Sequence, residues 1–231
     1  MLHTTFSLTA RCPRTGRFGI AVATRVPAVG AAVPHLRAGV GAIATQAWTN
    51  PYIGLDGVDL LAHGASADQV LEAVCAWDPD IERRQFAVVD RAGGVAAHTG
   101  VEAHEHAGHR LGDGFVAAGN LLAGPGVLDA MVQAFVVEPE RELQVRLLAA
   151  LTAGQEAGGD RRGKQSAALK VVDREEYAFI DLRVDEHADP IPELQRVYAV
   201  WEEVFRPHLA ARPTRADLGA RAGRDRPRLL P

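Results

Sequence analysis

The amino end of the chain reads as strand, tight turn, strand. Thr4–Ala10 (Thr-Thr-Phe-Ser-Leu-Thr-Ala) alternates in polarity, Arg11–Arg17 contains Cys-Pro-Arg-Thr-Gly, and Phe18–Thr24 (Phe-Gly-Ile-Ala-Val-Ala-Thr) is small and apolar. A hairpin this early commits the chain to an antiparallel sheet, because the turn dictates which strands pair and in which register.

The rest of the sequence keeps the same grammar. Val26–Pro34 is expected to be a loop or short helix over the sheet, and Ala38–Trp48 a buried strand whose glycines allow close backbone approach. Asn50-Pro51 breaks that strand. Leu55–His63 and Ala67–Trp77 carry helical periodicity, the second capped by Ser66. Gln85–Asp90 and Val95–Thr99 form a second hairpin, and Gly114–Asn120 a further strand. Gly126–Val137 and Glu140–Glu156 are two amphipathic helices around Pro139. Gln165–Asp173 and Tyr177–Val184 make a third hairpin, and Ile191–Phe205 a last helix. Hairpins alternating with helices argue for an α+β fold of antiparallel sheets with helices on their outer faces, not for a doubly wound parallel sheet.

Length and composition bound the function. At 231 residues, 47% of them hydrophobic and 23% charged, the chain suits one globular domain, read as residues 1–205. A net charge of −4 gives no reason to expect nucleic acid. From Arg206 to Pro231 there are seven Arg against Asp217 and Asp225, with four Pro, so 206–231 reads as a basic, partly disordered extension. Two isolated cysteines, Cys12 and Cys75, fit a reducing compartment. Neither a signal peptide nor a spanning segment is expected, so the protein is read as cytoplasmic, with no membrane partner. The glycine-rich Val26–Trp48 region could pack against a second copy, forming a homodimer.

Several stretches suggest chemistry. Gly158–Ser166 nearly matches a phosphate-binding loop, but Gln165 replaces the magnesium-ligating Ser or Thr, and a helix precedes the loop where a strand is required. Its charges suit a different role, in which Asp160, Arg161 and Arg162, with Gln165, could hold a substrate carboxylate. His98, His104, His106 and His109 have no common zinc spacing, so no metal is expected there, and His109 is retained as a substrate-binding residue. Thr24 and Arg25, Thr45 and Gln46, and Asn120 are polar residues at the ends of apolar strands, where side chains can converge on a cleft, and Asn50 is a further candidate for binding substrate.

Many ordered blocks carry a resemblance. They include Thr5-Phe-Ser-Leu-Thr-Ala-Arg, Gly19–Thr24, Gly39–Trp48, Asn50-Pro51, Ala107-Gly-His109-Arg, Gly119-Asn120, Ala123-Gly-Pro125, Gly158–Gly163, Gln165-Ser-Ala-Ala and Asp181–His187. Together, over residues 5 to about 205, the sequence resembles the bacterial and archaeal family called domain of unknown function 1028, grouped with the N-terminal-nucleophile (Ntn) hydrolases. The resemblance implies a four-layer αββα sandwich and an amide hydrolase without metal or organic cofactor. In such chemistry the hydroxyl of the first residue attacks an amide and its own α-amino group is the base. An α-amino group, with a pKa of roughly 7.7–8.0, suits that role at neutral pH.

Thr5, more than Thr4, is the candidate nucleophile, after loss of residues 1–4. Thr24 or Arg25 would orient the amine, and Asn120 with backbone N–H groups or Gln46 would stabilise the oxyanion. The expected substrate is a small acyl-amino acid, ureide or peptide-like amide. The alternative is a non-catalytic small-molecule-binding protein on the same scaffold, with its amino end unprocessed.

Overall fold

The computed structural model describes Leu2, His3 and residues 5–217. Two antiparallel sheets form its centre. The first contains β1 (Leu2–His3), β4 (Pro34–Arg37), β5 (Gly41–Trp48), β6 (Arg84–Asp90) and β7 (Val95–Thr99). Its order is β1-β5-β6-β7, with β4 paired to the first half of β5 and β1 to its end. The second contains β2 (Thr5–Arg11), β3 (Phe18–Thr24), β8 (Gly108–Gly112), β9 (Phe115–Gly119), β10 (Ser166–Val172) and β11 (Ile180–Val184), in the order β11-β10-β3-β2-β9-β8. β1 thus belongs to the first sheet and β2 to the second.

Strand periodicity sorts the side chains into layers. On the outer face of the second sheet, Phe6, Leu8, Ala21, Ala23 and Leu169 pack against α4 (Gly126–Val136), α5 (Leu143–Glu156) and α6 (Pro190–Val200) through Met131, Leu147, Leu151 and Leu194. On the outer face of the first sheet, Ile43, Phe86 and Val88 pack against α2 (Pro51–Ala62) and α3 (Ala67–Trp77) through Ile53, Leu61, Val70 and Val74. Between the sheets lie Ile20, Val22, Ala42, Ala44, Ala87, Val89 and Val116, closed at one side by Val29 and Val33 around the short helix α1 (Val29–Ala32). The architecture is the four-layer αββα sandwich of antiparallel sheets that the sequence implied.

Local chemistry explains most boundaries. Ser66 and Gln69 form a reciprocal capping box at the start of α3, where the expected cap lies. Asn50 does more than end a strand. Its side chain accepts from the Tyr52 N–H, and with Pro51 in the first turn it starts α2 four residues earlier than the periodicity suggested. The short helix α1 lies within Val26–Pro34, where a loop or short helix was expected; β4 follows it, β8 overlaps the end of the histidine-rich segment, and both strands lie at sheet edges. The last helix is regular to Val200 and continues as a π-helical turn, Trp201–Phe205, then a 3₁₀ segment, Arg206–Ala211.

The expected disordered extension begins in packed structure. Arg206 bridges Glu142 and Glu202, Leu209 packs on the core, and the Arg212 guanidinium stacks 4.0 Å from the Tyr177 ring centre. Residues 218–231 of that expectation lie outside the described residues. Cys12 is buried and Cys75 exposed, and neither is in a disulfide. Among the described residues no helix is long and apolar enough to cross a membrane.

Candidate active site

The register of the second sheet builds a row of polar side chains. Thr5 pairs with Thr24, and Thr24 with Ser166. On the other side, Phe6 pairs with Gly119, so Asn120 stands opposite Thr5, and its N–H donates to the Thr5 carbonyl at 3.0 Å. Residues directly opposite share a face. Val22, Ala168 and Val116 point between the sheets, so the two-residue repeat sends Thr24, Ser166, Thr5 and Asn120 to that same face. All four are buried, with Thr5, Asn120 and Ser166 fully so.

The first sheet answers with two glutamines. Ala44 and Ala87 face the inter-sheet layer, which places Gln46 and Gln85 there as well, both fully buried. The Gln85 amide Nε2 donates to the carbonyls of Gly108 (3.0 Å) and Gly119 (2.9 Å), and Thr99 Oγ1 lies 2.9 Å from it. Its Oε1 accepts from Gln46 Nε2 (2.8 Å) and Asn120 Nδ2 (2.9 Å), while Gln46 Oε1 accepts from the Ser7 hydroxyl (2.8 Å). Two backbone carbonyls can only accept, so they fix which end of Gln85 is which. That orientation in turn fixes those of Gln46 and Asn120.

Thr99 extends the network to His109. Its hydroxyl lies 2.9 Å from Gln85 Nε2 and 2.9 Å from His109 Nδ1. Burial, with His98 and Arg110 nearby, holds the His109 pKa below the usual imidazole range, consistent with a neutral ring.

The loop from α5 to β10 closes the end of the row. It turns through Gly158 (φ 116°) and Gly163 (φ 110°), conformations that strain any residue with a side chain. Asp160 is buried, and its carboxylate accepts from the backbone N–H groups of Arg25 (3.1 Å) and Arg162 (2.9 Å) and pairs with the Arg162 guanidinium (2.8 Å). Arg161 is paired with Glu105 at 2.6 Å, and Lys164 with Asp189 at 2.6 Å. Asp160, Arg161 and Arg162, expected to hold a substrate together, thus already engage other groups of the protein. Arg25 differs. It is exposed, its guanidinium donates to Gln165 Oε1 at 2.5 Å, and among the described residues no carboxylate forms an ion pair with it.

The remaining candidates are dispersed. Asn50 caps α2 and donates to Asp78 Oδ2 (2.9 Å), outside the polar network. Thr45 points to α2 and donates to the Asn50 carbonyl (3.2 Å). His98 lies within 3.0 Å of the Ile81 carbonyl, and His104 stacks on Trp48. Among the described residues, no group of three or more His, Cys, Asp or Glu side chains is placed to hold a metal ion. Sequence reasoning missed Ser7, Gln85, Thr99 and Ser166.

Backbone strain gathers around the same place. Ala47 (φ 66°) follows Gln46, Leu121 (φ 47°) follows Asn120, and His106 (φ 48°) accepts from the Leu122 N–H. His104 (φ 85°) lies against Trp48. Non-glycine residues in this region cost about 1–3 kcal/mol each and persist where the surroundings enforce them.

From residue 5 to residue 194, the sequence matches the family described as "Family of unknown function (DUF1028)". The chain belongs to this family. A crystal structure of a family member from Silicibacter pomeroyi is 32% identical, with a TM-score of 0.85 over 94% of this chain and 98% of that one. Anbu (ancestral beta-subunit) from Yersinia bercovieri is 10% identical, with a TM-score of 0.42 over 90% of this chain and 98% of that one. A Gly-1 mutant of Anbu from Hyphomicrobium sp. strain MC1 is 14% identical, with a TM-score of 0.44 over 89% and 97%. No curated protein matches. The DUF1028 match opens at Thr5, the residue that also opens β2 and stands in the middle of the polar row.

Proposed function

We infer that the protein is an amide hydrolase of the Ntn type, cleaving a C–N bond in a small acyl-amino acid, ureide or peptide-like substrate once residues 1–4 are removed. The observation that carries this reading is the position of Thr5. It begins the central strand β2, with Thr24 on one side and Asn120 on the other, at the polar end of the inter-sheet layer. Cutting before Thr5 would give its hydroxyl a neighbouring amine as base, in surroundings built from hydrogen-bonding groups. Backbone N–H groups would stabilise an oxyanion, since the amide nitrogens of Asn120 and Gln46 are directed to Gln85 Oε1. Arg25, unpaired with any described carboxylate, would attract the charged end of a substrate.

One observation favours a second reading, a binding protein with an intact amino end. Leu2 and His3 pair with Trp48 and Ala47 of β5, and Thr5 is fully buried, so the uncut chain covers its own candidate nucleophile. A panel of acyl-amino acids, ureides and short peptides, assayed for turnover and for thermal shift with the wild-type protein and Thr5→Ala, separates the two. The hydrolase reading expects turnover that disappears in Thr5→Ala. Stabilisation by a ligand that neither protein consumes supports the binding reading.

A further inference from the structure

Among the described residues, one atom of the polar row has no counterpart. Asn120 Oδ1 is buried, in a fully buried residue, without a hydrogen-bond partner. Such an acceptor is costly and is normally satisfied. Rotating the amide does not cure the defect. A rotated Asn120 would aim its oxygen at Gln85 Oε1, and Gln85 cannot rotate because its Nε2 is held by the carbonyls of Gly108 and Gly119. Gln46 Nε2, also on Gln85 Oε1, adds a further lock. The unsatisfied oxygen is therefore imposed by the backbone of β8 and β9 through a single glutamine. It belongs to the residue opposite Thr5, on the face that Thr5 shares.

We propose that Gln85 is a positioning residue that holds Asn120 so that Oδ1 accepts a hydrogen bond from the α-ammonium group of Thr5 in the processed chain. The inference rests on reading Thr5 as the future amino terminus. It gives Asn120 a role opposite to donation to an oxyanion, since its carbonyl holds the amine while its amide nitrogen faces Gln85. An acceptor at the ammonium favours the charged form, and removing it lowers the pKa of the amine. Gln85 touches neither Thr5 nor a substrate in this scheme, and acts only through the orientation of Asn120.

The test uses a chain that begins at Thr5, released from a fusion by a site-specific protease. Every named residue of the three core clusters lies at or after Phe6, so this chain retains all of them. With ¹³C-labelled threonine, the Thr5 Cβ resonance follows titration of its amine. Relative to wild type, Asn120→Leu is expected to lower the amine pKa by about one unit, and Gln85→Leu to shift it in the same direction. Asn120→Asp, which places a carboxylate there, is expected to raise it. An amine pKa that is the same in wild type, Asn120→Leu and Asn120→Asp overturns the proposal. If Gln85→Leu fails to fold, Gln85→Glu replaces it: Glu cannot donate to the two carbonyls, and the expected outcome is again a displaced amine pKa. The readout needs no substrate. A chain that hydrolyses nothing yet shows these shifts removes the hydrolase reading alone. Turnover by a chain whose amine ignores Asn120 removes this inference alone.

Discussion

The inter-sheet layer has two ends, and they obey different rules. At one end Phe18, Ile20, Val22, Ala42, Ala44, Val89 and Val172 meet as a dry core, where burial of apolar area stabilises the fold without regard to direction. At the other end of the same layer stand Thr24, Ser166, Thr5, Asn120, Gln46 and Gln85. Those groups contribute only if each finds a partner in the right geometry, because a buried polar group left alone costs about 1–3 kcal/mol. The dry end tolerates changes of shape within limits of volume. The polar end specifies orientation atom by atom, as a reactive site needs.

The largest difference between the ends is expected in chemistry. Thr5→Ala should reduce turnover of the best amide substrate by about a thousandfold or more, with little change in melting temperature. Retained activity with Ala at 5 would place the nucleophile elsewhere. In stability the order reverses. Ile20→Ala, at the dry end, should lower the unfolding free energy in urea by about 2–5 kcal/mol, through lost transfer energy and a cavity. Gln85→Leu keeps the volume but leaves the Gly108 and Gly119 carbonyls and the amides of Gln46 and Asn120 without their shared partner; a loss of about 1–3 kcal/mol is expected in the same assay. A Gln85→Leu protein as stable as wild type would show that the network contributes nothing net.

The smallest effect is one of pH. Burial depresses the pKa of His109, with His98 and Arg110 adding to it, and depresses that of His35, with Lys170 adding to it. Each ring binds its proton more readily in the unfolded chain. The contribution to stability is therefore complete above the unfolded value of about 6.5 and is lost as pH falls towards the folded value. Melting temperature should decline over that acid range, and less steeply in His109→Gln and His35→Gln. If neither variant changes the slope, other groups set it.

What the sequence revealed follows the same division. The hairpins around residues 11–17 and 91–94 and the Ser66 cap were legible because each is a local signal, turn chemistry or capping. β4 and β8 were not: Pro34-His-Leu-Arg and Gly108-His-Arg-Leu-Gly are short, partly exposed edge strands whose pairing partner supplies their order. Thr5, Thr24, Gln46 and Asn120 could be nominated as polar ends of apolar strands. Gln85 carried a readable signal as well, a lone amide on the face of Ala87 and Val89, but its role depends on the carbonyls of Gly108 and Gly119, from another sheet. The pairing of Arg161 with Glu105, 56 residues away, has no local trace.

The central claim is that catalysis belongs to Thr5 as an amino terminus. Intact mass spectrometry of the hydrolytically active fraction tests it most directly. A mass corresponding to a chain that starts at Thr5 is the predicted result, and full activity from protein that still begins at Met1 would contradict it.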